Sequence, residues 1–137
     1  MNVRVRVLVA LSTAALCFLI AACKPEKTAD PVSVVKAEFD AINNGQADTA
    51  AELFAEDAEW ISAFRQSTGA SAIRDMLRLT TIPTKTRLTI RDISAEGPTV
   101  TGTFTMESSV VPEGVIVQLF ATVQKGKIQF MAWTNRQ

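Results

Sequence analysis

The hydrophobic pattern divides the chain into an apolar leader, a helical segment and a segment of strands. Val7 to Ile20 is apolar except for Ser12 and Thr13. From Asp30 to Ile82 apolar residues recur mainly at helical spacing, whereas from Thr84 onward they alternate with polar residues. Helical spacing indicates a helix with one buried face, and strict alternation indicates a half-buried strand. The pattern therefore predicts an α+β domain that follows a leader.

Three helices are predicted in the first half of the domain. Asp30 and Pro31 are typical of a helix start, and Gly45 is typical of a helix end. Asp48 is predicted to cap the second helix, and the third is expected to begin near Ala70. The predicted buried faces are, in turn, Val32, Val35, Phe39 and Ile42; Ala50, Leu53 and Phe54; and Ala70, Ile73, Met76 and Leu77.

Strands are predicted around and after the third helix. Glu56 to Ser62 leaves the helical period and is expected to form a short strand that carries Trp60, followed by a polar loop at 64–69. The alternation that starts at Thr84 loses its phase at Asp92-Ile93, which predicts a bulge. Residues 112–114 are expected to form a turn between two later strands.

The last hairpin is predicted to have a three-residue loop at 124–126, because only Gly126 then needs positive φ. This register pairs Leu119 with Met131 and Val117 with Trp133. One face then carries Val115, Val117, Leu119, Ala121, Met131 and Trp133, and the other carries Ile116, Gln118, Phe120, Thr122, Ile128, Phe130 and Ala132. Both faces are apolar, so one is expected to pack on the helices and the other on a second subunit.

The leader has the three parts of a secretory signal: Arg4 and Arg6, the apolar run, and small residues before Cys23. The run is shorter than the ~20 residues of a membrane-spanning helix. The sequence Leu-Ile-Ala-Ala-Cys at 19–23 resembles the lipobox of bacterial lipoproteins. That resemblance implies a signal peptide at 1–22, a lipidated tether at 23–30 with acyl chains such as palmitate on Cys23, and a domain at 31–137.

The resemblance also implies an address in the bacterial cell envelope, where the acyl chains hold the protein on a membrane. Lys24 follows the cysteine, which in bacteria with two membranes implies the outer membrane, facing the periplasm. The outer face of the cytoplasmic membrane and the cell surface stay open. Cys17 would be removed with the signal and Cys23 would be acylated, so no disulfide is expected.

Composition excludes several kinds of chemistry. The chain has no histidine and no tyrosine, which excludes Ser-His-Asp and Cys-His catalysis and histidine-based metal sites. No metal and no cofactor are expected, and any general base must be a carboxylate or a lysine. Without Arg4 and Arg6, twelve basic residues face fourteen acidic ones, a net charge of −2. The basic residues are scattered, so no nucleic-acid partner is expected.

The order helix, helix, short strand, helix and antiparallel meander resembles nuclear transport factor 2-like, or SnoaL-like, domains. The resemblance covers residues 32–135 and is carried by Ala41-Ile42-Asn43-Asn44-Gly45, Leu53-Phe54-Ala55-Glu56-Asp57-Ala58-Glu59-Trp60, Gly69-Ala70-Ser71-Ala72-Ile73-Arg74 and Gly126-Lys127-Ile128. It implies a cone-shaped, cystatin-like fold in which three helices pack on a curved, mostly antiparallel sheet. That fold hosts enzymes and binding proteins alike.

The catalytic positions of two branches of that family can be compared with this chain. For ketosteroid isomerases the resemblance places the base near Ser62, the tyrosine near Glu38 and Phe39, and the acid near Leu119 or Gln118. For limonene-epoxide hydrolases it places an aspartate near Trp133. None of these positions carries the family's residue, so no catalytic residue is predicted. The apolar cone is the candidate ligand site, and the residues predicted to line it are Trp60, Phe64, Val117, Leu119, Met131 and Trp133.

Three functions remain open. The first is a non-catalytic, homodimeric lipoprotein that binds a small hydrophobic ligand or a partner protein. The second is an isomerase or hydrolase that acts on a small hydrophobic substrate through a carboxylate, with Glu38, Asp57, Glu59 and Glu107 as candidates. The third is a structural subunit of an envelope complex, in which the same apolar side chains simply fill the cone.

Overall fold

The structure, a computed structural model, describes residues 29–136. The predicted signal peptide, Cys23 and most of the predicted tether lie outside these residues. Within 29–136 no helix is long and apolar enough to cross a membrane. The helices are α1 (Pro31–Asn43), α2 (Ala47–Glu52) and α3 (Ala70–Met76), and the strands are β1 (Phe54–Ser62), β2 (Arg65–Thr68), β3 (Arg87–Glu96), β4 (Thr99–Ser108), β5 (Val111–Gln124) and β6 (Lys127–Asn135).

The strands form one curved sheet in the order β2-β1-β6-β5-β4-β3. Neighbouring strands are antiparallel except β1 and β6, which run parallel. The helices cover one face of this sheet, and the core lies between them: Val35 and Phe39 of α1, and Ile73 of α3, are fully or almost fully buried. The predicted fold class, three helices on a mostly antiparallel sheet, is therefore confirmed.

The first helix follows its sequence signals. The Asp30 carboxylate accepts a hydrogen bond from the Ser33 backbone N–H at 3.2 Å, and Pro31 occupies the first turn. Gly45, after the helix end, has φ of +71°. The first described residue lies beside the turn between β5 and β6. The Cβ of Ala29 is 3.7 Å from the position that a Cβ on Gly126 would occupy.

The prediction that Asp48 caps the second helix is wrong. Gln46 occupies the cap position, and Asp48 lies in the first turn of α2. Its carboxylate instead accepts from Arg78 Nη2 at 2.6 Å and lies 3.4 Å from Arg74 Nε. Asp48 therefore links α2 to the third helical segment rather than capping the start of its own helix.

The third helix and its neighbours differ from the sequence prediction in two further places. α3 continues without a break into a π-helical turn at Leu77–Thr81, where the extra residue per turn widens the helix. The predicted polar loop at 64–69 is wrong, because Arg65–Thr68 forms β2 and pairs with β1 from Ser62 back to Glu59. β1 and β2 thus form a hairpin at the edge of the sheet.

The turn predicted at 112–114 is also wrong. β5 begins at Val111, and the turn lies at residues 109–110. Pro112 is tolerated within the strand because β6 pairs with β5 only from Val117 onward, which leaves one edge of the first residues of β5 free.

The register predicted for the β5–β6 hairpin is wrong by two residues. Lys125 and Gly126 form a two-residue turn, both with positive φ as a type I′ turn requires, and a bulge follows at Gln129. The resulting pairs are Ala121–Met131, Leu119–Trp133 and Val117–Asn135. A shift of two preserves the faces, so the predicted core face is buried as expected; Ile128, predicted on the outer face, is fully buried because of the bulge.

A bulge is present one residue before the predicted Asp92-Ile93, since the β3–β4 register shifts between Ile90 and Asp92 and leaves Arg91 without a partner in β4. The Asp92 carboxylate accepts hydrogen bonds from Thr103 N at 2.6 Å and from Thr103 Oγ1 at 2.9 Å. A Cβ at position 102 would collide with the carbonyl oxygen of Asp92. Gly102 therefore permits the close approach of the two strands at the bend that curves the sheet.

Candidate functional site

A cavity of about 260 Å³ lies at one end of the sheet. β1, β4 and β6 finish there and β5 begins there, and the π-helical turn closes the side. The lining residues are Trp60, Ser62, Ala63, Phe64, Arg65, Met76, Thr80, Thr81, Thr84, Thr86, Met106, Ser108, Val110, Val111, Val117, Trp133 and Asn135. We call this space the cone cavity.

Two tryptophans form the inner wall of the cone cavity. The rings of Trp60 and Trp133 meet edge to face with centroids 4.6 Å apart. Phe54 stacks on Trp60 at 5.5 Å, and Phe39 and Phe104 pack edge-on against Trp133 at 5.9 and 5.0 Å. Aromatic pairs at these separations contribute about 0.5–1.5 kcal/mol each beyond the area that they bury. Aromatic contacts therefore hold both tryptophans of the inner wall in place.

The indole N–H groups of both tryptophans are buried and have no hydrogen-bond acceptor among the described residues. A buried donor without an acceptor costs on the order of 1–3 kcal/mol. Most such groups in native proteins have a partner, so each one calls for an explanation. The two indole N–H groups without an acceptor in residues 29–136 thus belong to side chains that line the cavity.

The mouth of the cavity exposes apolar side chains. Phe64, in the turn between β1 and β2, is 89% exposed, and Val110, in the turn between β4 and β5, is 74% exposed. Both residues line the cavity. Large apolar side chains left in water beside an apolar cavity are typical of a binding site.

Most of the polar side chains that line the cavity carry hydroxyl groups. Thr80 and Thr81 belong to the π-helical turn, and Thr84 and Thr86 follow it. Thr84 Oγ1 donates to one of the Thr80 and Thr81 carbonyls, at 2.9 and 3.0 Å, and lies 2.9 Å from Thr86 Oγ1. The π-helical turn, a feature often found at functional sites, places this threonine cluster along the cavity.

Four of the six predicted pocket residues, Trp60, Phe64, Val117 and Trp133, line the cone cavity. Leu119 and Met131 do not: both are buried, and they lie further from the mouth along β5 and β6. The threonine cluster and Arg65 were not predicted. The threonines at 80, 81, 84 and 86 form a visible run in the sequence, but its position depends on the π-helical turn. Cys23, the predicted lipidation site, lies outside the described residues.

Glu38 is fully buried, and neither of its carboxylate oxygens has a partner among the described residues. The side chains one turn away on α1 (Val34, Val35, Ala41 and Ile42) are all buried and apolar. Burial raises the pKa of Glu38 well above its ordinary value, because the charged form would lose its hydration. Burial therefore favours the protonated form of the side chain, which can donate a hydrogen bond.

The other carboxylates considered for catalysis lie apart from the cavity. Asp57 and Glu107 are exposed, and Glu59 accepts a hydrogen bond from Gln66 Nε2 at 2.6 Å. Neither these three nor Glu38 line the cone cavity. In the part of the chain that the structure describes, no group of three or more Asp, Glu, Cys or His residues is placed to hold a metal ion.

Comparison with known proteins identifies the family of the domain and structures with a similar fold. The model of the SnoaL-like domain family matches residues 35–132, while no curated protein matches the chain. Among solved structures, an NTF2-like protein of unknown function from Cytophaga hutchinsonii is similar with a TM-score of 0.69 and 12% identity, over 78% of this chain and 90% of that one.

Two further structures show the range of proteins with this fold. TerC, co-crystallised with polyporic acid, has a TM-score of 0.65 and 17% identity over 77% of this chain and 91% of its own. An LEH-like epoxide hydrolase from M. tuberculosis has a TM-score of 0.67 and 18% identity over 77% of this chain and 82% of its own. At these identities the likeness shows the fold alone. The family match covers more than half of the sequence, and the chain therefore belongs to the SnoaL-like domain family, with the nuclear transport factor 2-like fold.

Proposed function

We propose that this protein is a lipid-anchored envelope protein whose cone cavity binds a small, mostly apolar ligand. The single observation that carries the proposal is the cavity itself, with two fixed tryptophans inside and exposed Phe64 and Val110 at its mouth. A ligand would cover this apolar surface, and each Å² removed from water contributes on the order of 25 cal/mol.

The volume of the cavity limits the size of the ligand. Pockets for drug-sized molecules occupy roughly 300–1,000 Å³, and the cone cavity is smaller, at about 260 Å³. A molecule with one or two rings is therefore the expected occupant. TerC, which has a similar fold at 17% identity, was crystallised with polyporic acid, and this supports small-molecule binding as one use of such a cone.

Two further parts of the proposal come from the sequence and from the sheet. The leader and the Leu-Ile-Ala-Ala-Cys motif at 19–23 support acylation of Cys23 and an anchor on the outer membrane, facing the periplasm. The outer face of the sheet supports a homodimer, because Ile116 and Phe120 are 39% and 42% exposed. The Phe120 ring packs on Phe130 at 6.0 Å, which makes this patch continuous across β5 and β6.

Native mass spectrometry of the protein purified from its own membrane tests ligand binding. We expect a co-purified small molecule, and a smaller bound fraction in Phe64→Ala because the mouth loses its largest apolar side chain. Both tryptophans of the chain line the cavity, so release of the ligand should change the intrinsic fluorescence. Phe120→Ala is the matched control, since Phe120 is a partly exposed phenylalanine on the outer face of the sheet.

A protein that is empty and whose tryptophan fluorescence stays constant would contradict ligand binding. An empty but dimeric protein would instead favour the structural role in an envelope complex. If Phe120→Ala lowered the bound fraction as much as Phe64→Ala, the molecule would be bound elsewhere than in the cone cavity.

A further inference from the structure

We propose that the ligand of the cone cavity is a small cyclic carboxylate, whose ring lies against Trp60 and Trp133 and whose carboxylate binds Arg65 at the mouth. This inference rests on the proposed ligand binding and adds the chemical class of the ligand. The inference rests on the distribution of charged side chains around the cavity. This distribution is an observation separate from the size and shape of the cavity.

The described side chains that line the cavity include a positive charge and no negative charge. Among the described residues that line it, Arg65 is the only one with a charged side chain, and no aspartate or glutamate is present. The remaining polar side chains are hydroxyls and the Asn135 amide. A cationic ligand would therefore find no countercharge here, whereas an anionic ligand would find one guanidinium group.

Arg65 differs from the other arginines near the helices. Arg74 and Arg78 both engage the carboxylate of Asp48. The Arg65 guanidinium contacts a neutral group instead, because its Nη1 donates to Thr80 Oγ1 at 3.3 Å. No carboxylate of the described residues 29–136 lies within ion-pair distance of it. Most of the five N–H donors of Arg65 therefore remain available to a ligand.

The backbone holds Arg65 at this position. It is the first residue of β2, it pairs with Ser62 across the hairpin, and Ser62 Oγ donates to its carbonyl oxygen at 3.2 Å. The contact with Thr80 directs the guanidinium toward the threonine cluster. The positive charge is thus placed at the mouth, on the same side as the hydroxyl groups.

The apolar interior of the cavity and the charged residue at its mouth together favour an amphipathic ligand. Trp60, Trp133, Met76 and Met106 provide an apolar inner surface that suits a ring, since indole and thioether groups both make favourable contacts with aromatic rings. A guanidinium group is planar and binds a carboxylate through two parallel hydrogen bonds. A ring carboxylate satisfies both parts, with the ring inside and the charge at the mouth.

Calorimetric titration with two matched probes tests this inference. The probes are 2-naphthoate and its neutral counterpart 2-naphthalenemethanol, added at neutral pH to the full-length protein in lipid nanodiscs, with empty nanodiscs as the blank. Because Arg65 is exposed, its ion pair is partly screened by water, and we expect 2-naphthoate to bind about fivefold more tightly than the alcohol. Arg65→Gln should remove this difference, so that the variant binds the two probes with similar affinity.

Arg91→Gln is the control, because Arg91 is an exposed arginine of β3 that does not line the cavity, and the preference should persist there. A salt titration of the unmodified protein is a second measurement that needs no variant: added salt should weaken the binding of 2-naphthoate only. Equal affinity for the two probes, or a preference that survives Arg65→Gln, overturns the carboxylate inference while leaving ligand binding intact. If neither probe binds, the carboxylate inference fails, and the native mass spectrometry described above decides the proposed ligand binding separately.

Discussion

Glu38 is an ionisable residue in a buried and apolar part of α1. Its carboxyl group is fully buried on the core face of α1, and neither oxygen has a partner among the described residues. An ionised carboxylate in such a place would cost several kcal/mol, so the side chain keeps its proton instead. The helix therefore retains a polar group at a position where leucine or methionine would pack without this cost.

The protonated state of Glu38 predicts that the stability of the domain depends on pH. The pKa of the carboxyl group is raised in the folded state, whereas in the unfolded chain the group titrates near its ordinary pKa of 4.5. Below that value both states are protonated; above it the unfolded state ionises first, so the free energy of unfolding falls as pH rises toward the folded-state pKa. The slope is at most about 1.4 kcal/mol per pH unit. Urea unfolding between about pH 5 and 8 measures it.

Glu38→Gln should remove this pH dependence, because glutamine stays neutral throughout. Asp40→Asn is the control, since Asp40 is an exposed carboxyl group on the same helix. A wild-type stability that is flat over this pH range, or a slope that persists in Glu38→Gln, would show that Glu38 is not the group responsible.

At the scale of elements, the outer face of β5 and β6 gives a separate prediction. Phe120→Glu places a charge on the apolar patch that Ile116, Phe120 and Phe130 form, and a dimer that covered this patch would lose apolar contact and have to bury the charge. Analytical ultracentrifugation should therefore give a dimer for the wild type and a monomer for Phe120→Glu. Phe64→Glu, which places the same charge at the cavity mouth, should remain dimeric. A monomeric wild type would contradict the homodimer.

Elements with strong local signals could be predicted from the sequence. Asp30, Pro31 and Gly45 determine where α1 begins and ends, and the loss of alternation at Asp92 marks the bulge that bends β3. The alternation of apolar residues also identified the buried face of β5 and β6, because a register error of two residues leaves each side chain on the same face. Ile128 is the exception, since the adjacent bulge moves its side chain to the buried face.

Elements that depend on tertiary contacts could not be predicted. Residues 65–68 are polar and form a strand only because β1 offers them an edge, and Pro112 is accepted in β5 only because β6 leaves that stretch free. The candidate site follows the same division. Its tryptophans stand out in the sequence, whereas the threonine cluster reaches the cavity through the π-helical turn, for which the sequence has no local signal.

At the scale of the whole molecule, the proposed anchor predicts which end of the domain lies near the membrane. With a single fluorescent label on the lipidated protein in vesicles, Lys125→Cys should be quenched by quencher-bearing lipids more strongly than Phe64→Cys. The same labels on a Cys23→Ala background should show no quenching, because that protein should not bind the vesicles. Quenching that persists without Cys23 would contradict the lipid anchor, and equal quenching at both sites would contradict this orientation.

The position of Ala29 beside Gly126 of the β5–β6 turn determines this geometry. The six steps of the chain from Cys23 to Ala29 reach at most about 22 Å, and the six strand steps from Lys127 to Trp133 span roughly as much again. If the chain is anchored at Cys23, its tether joins the domain beside the β5–β6 turn, while the mouth of the cavity opens at the opposite end of the sheet. Such a protein would collect its ligand from the surrounding aqueous compartment rather than from the bilayer that holds it, and it could load and unload without leaving the membrane.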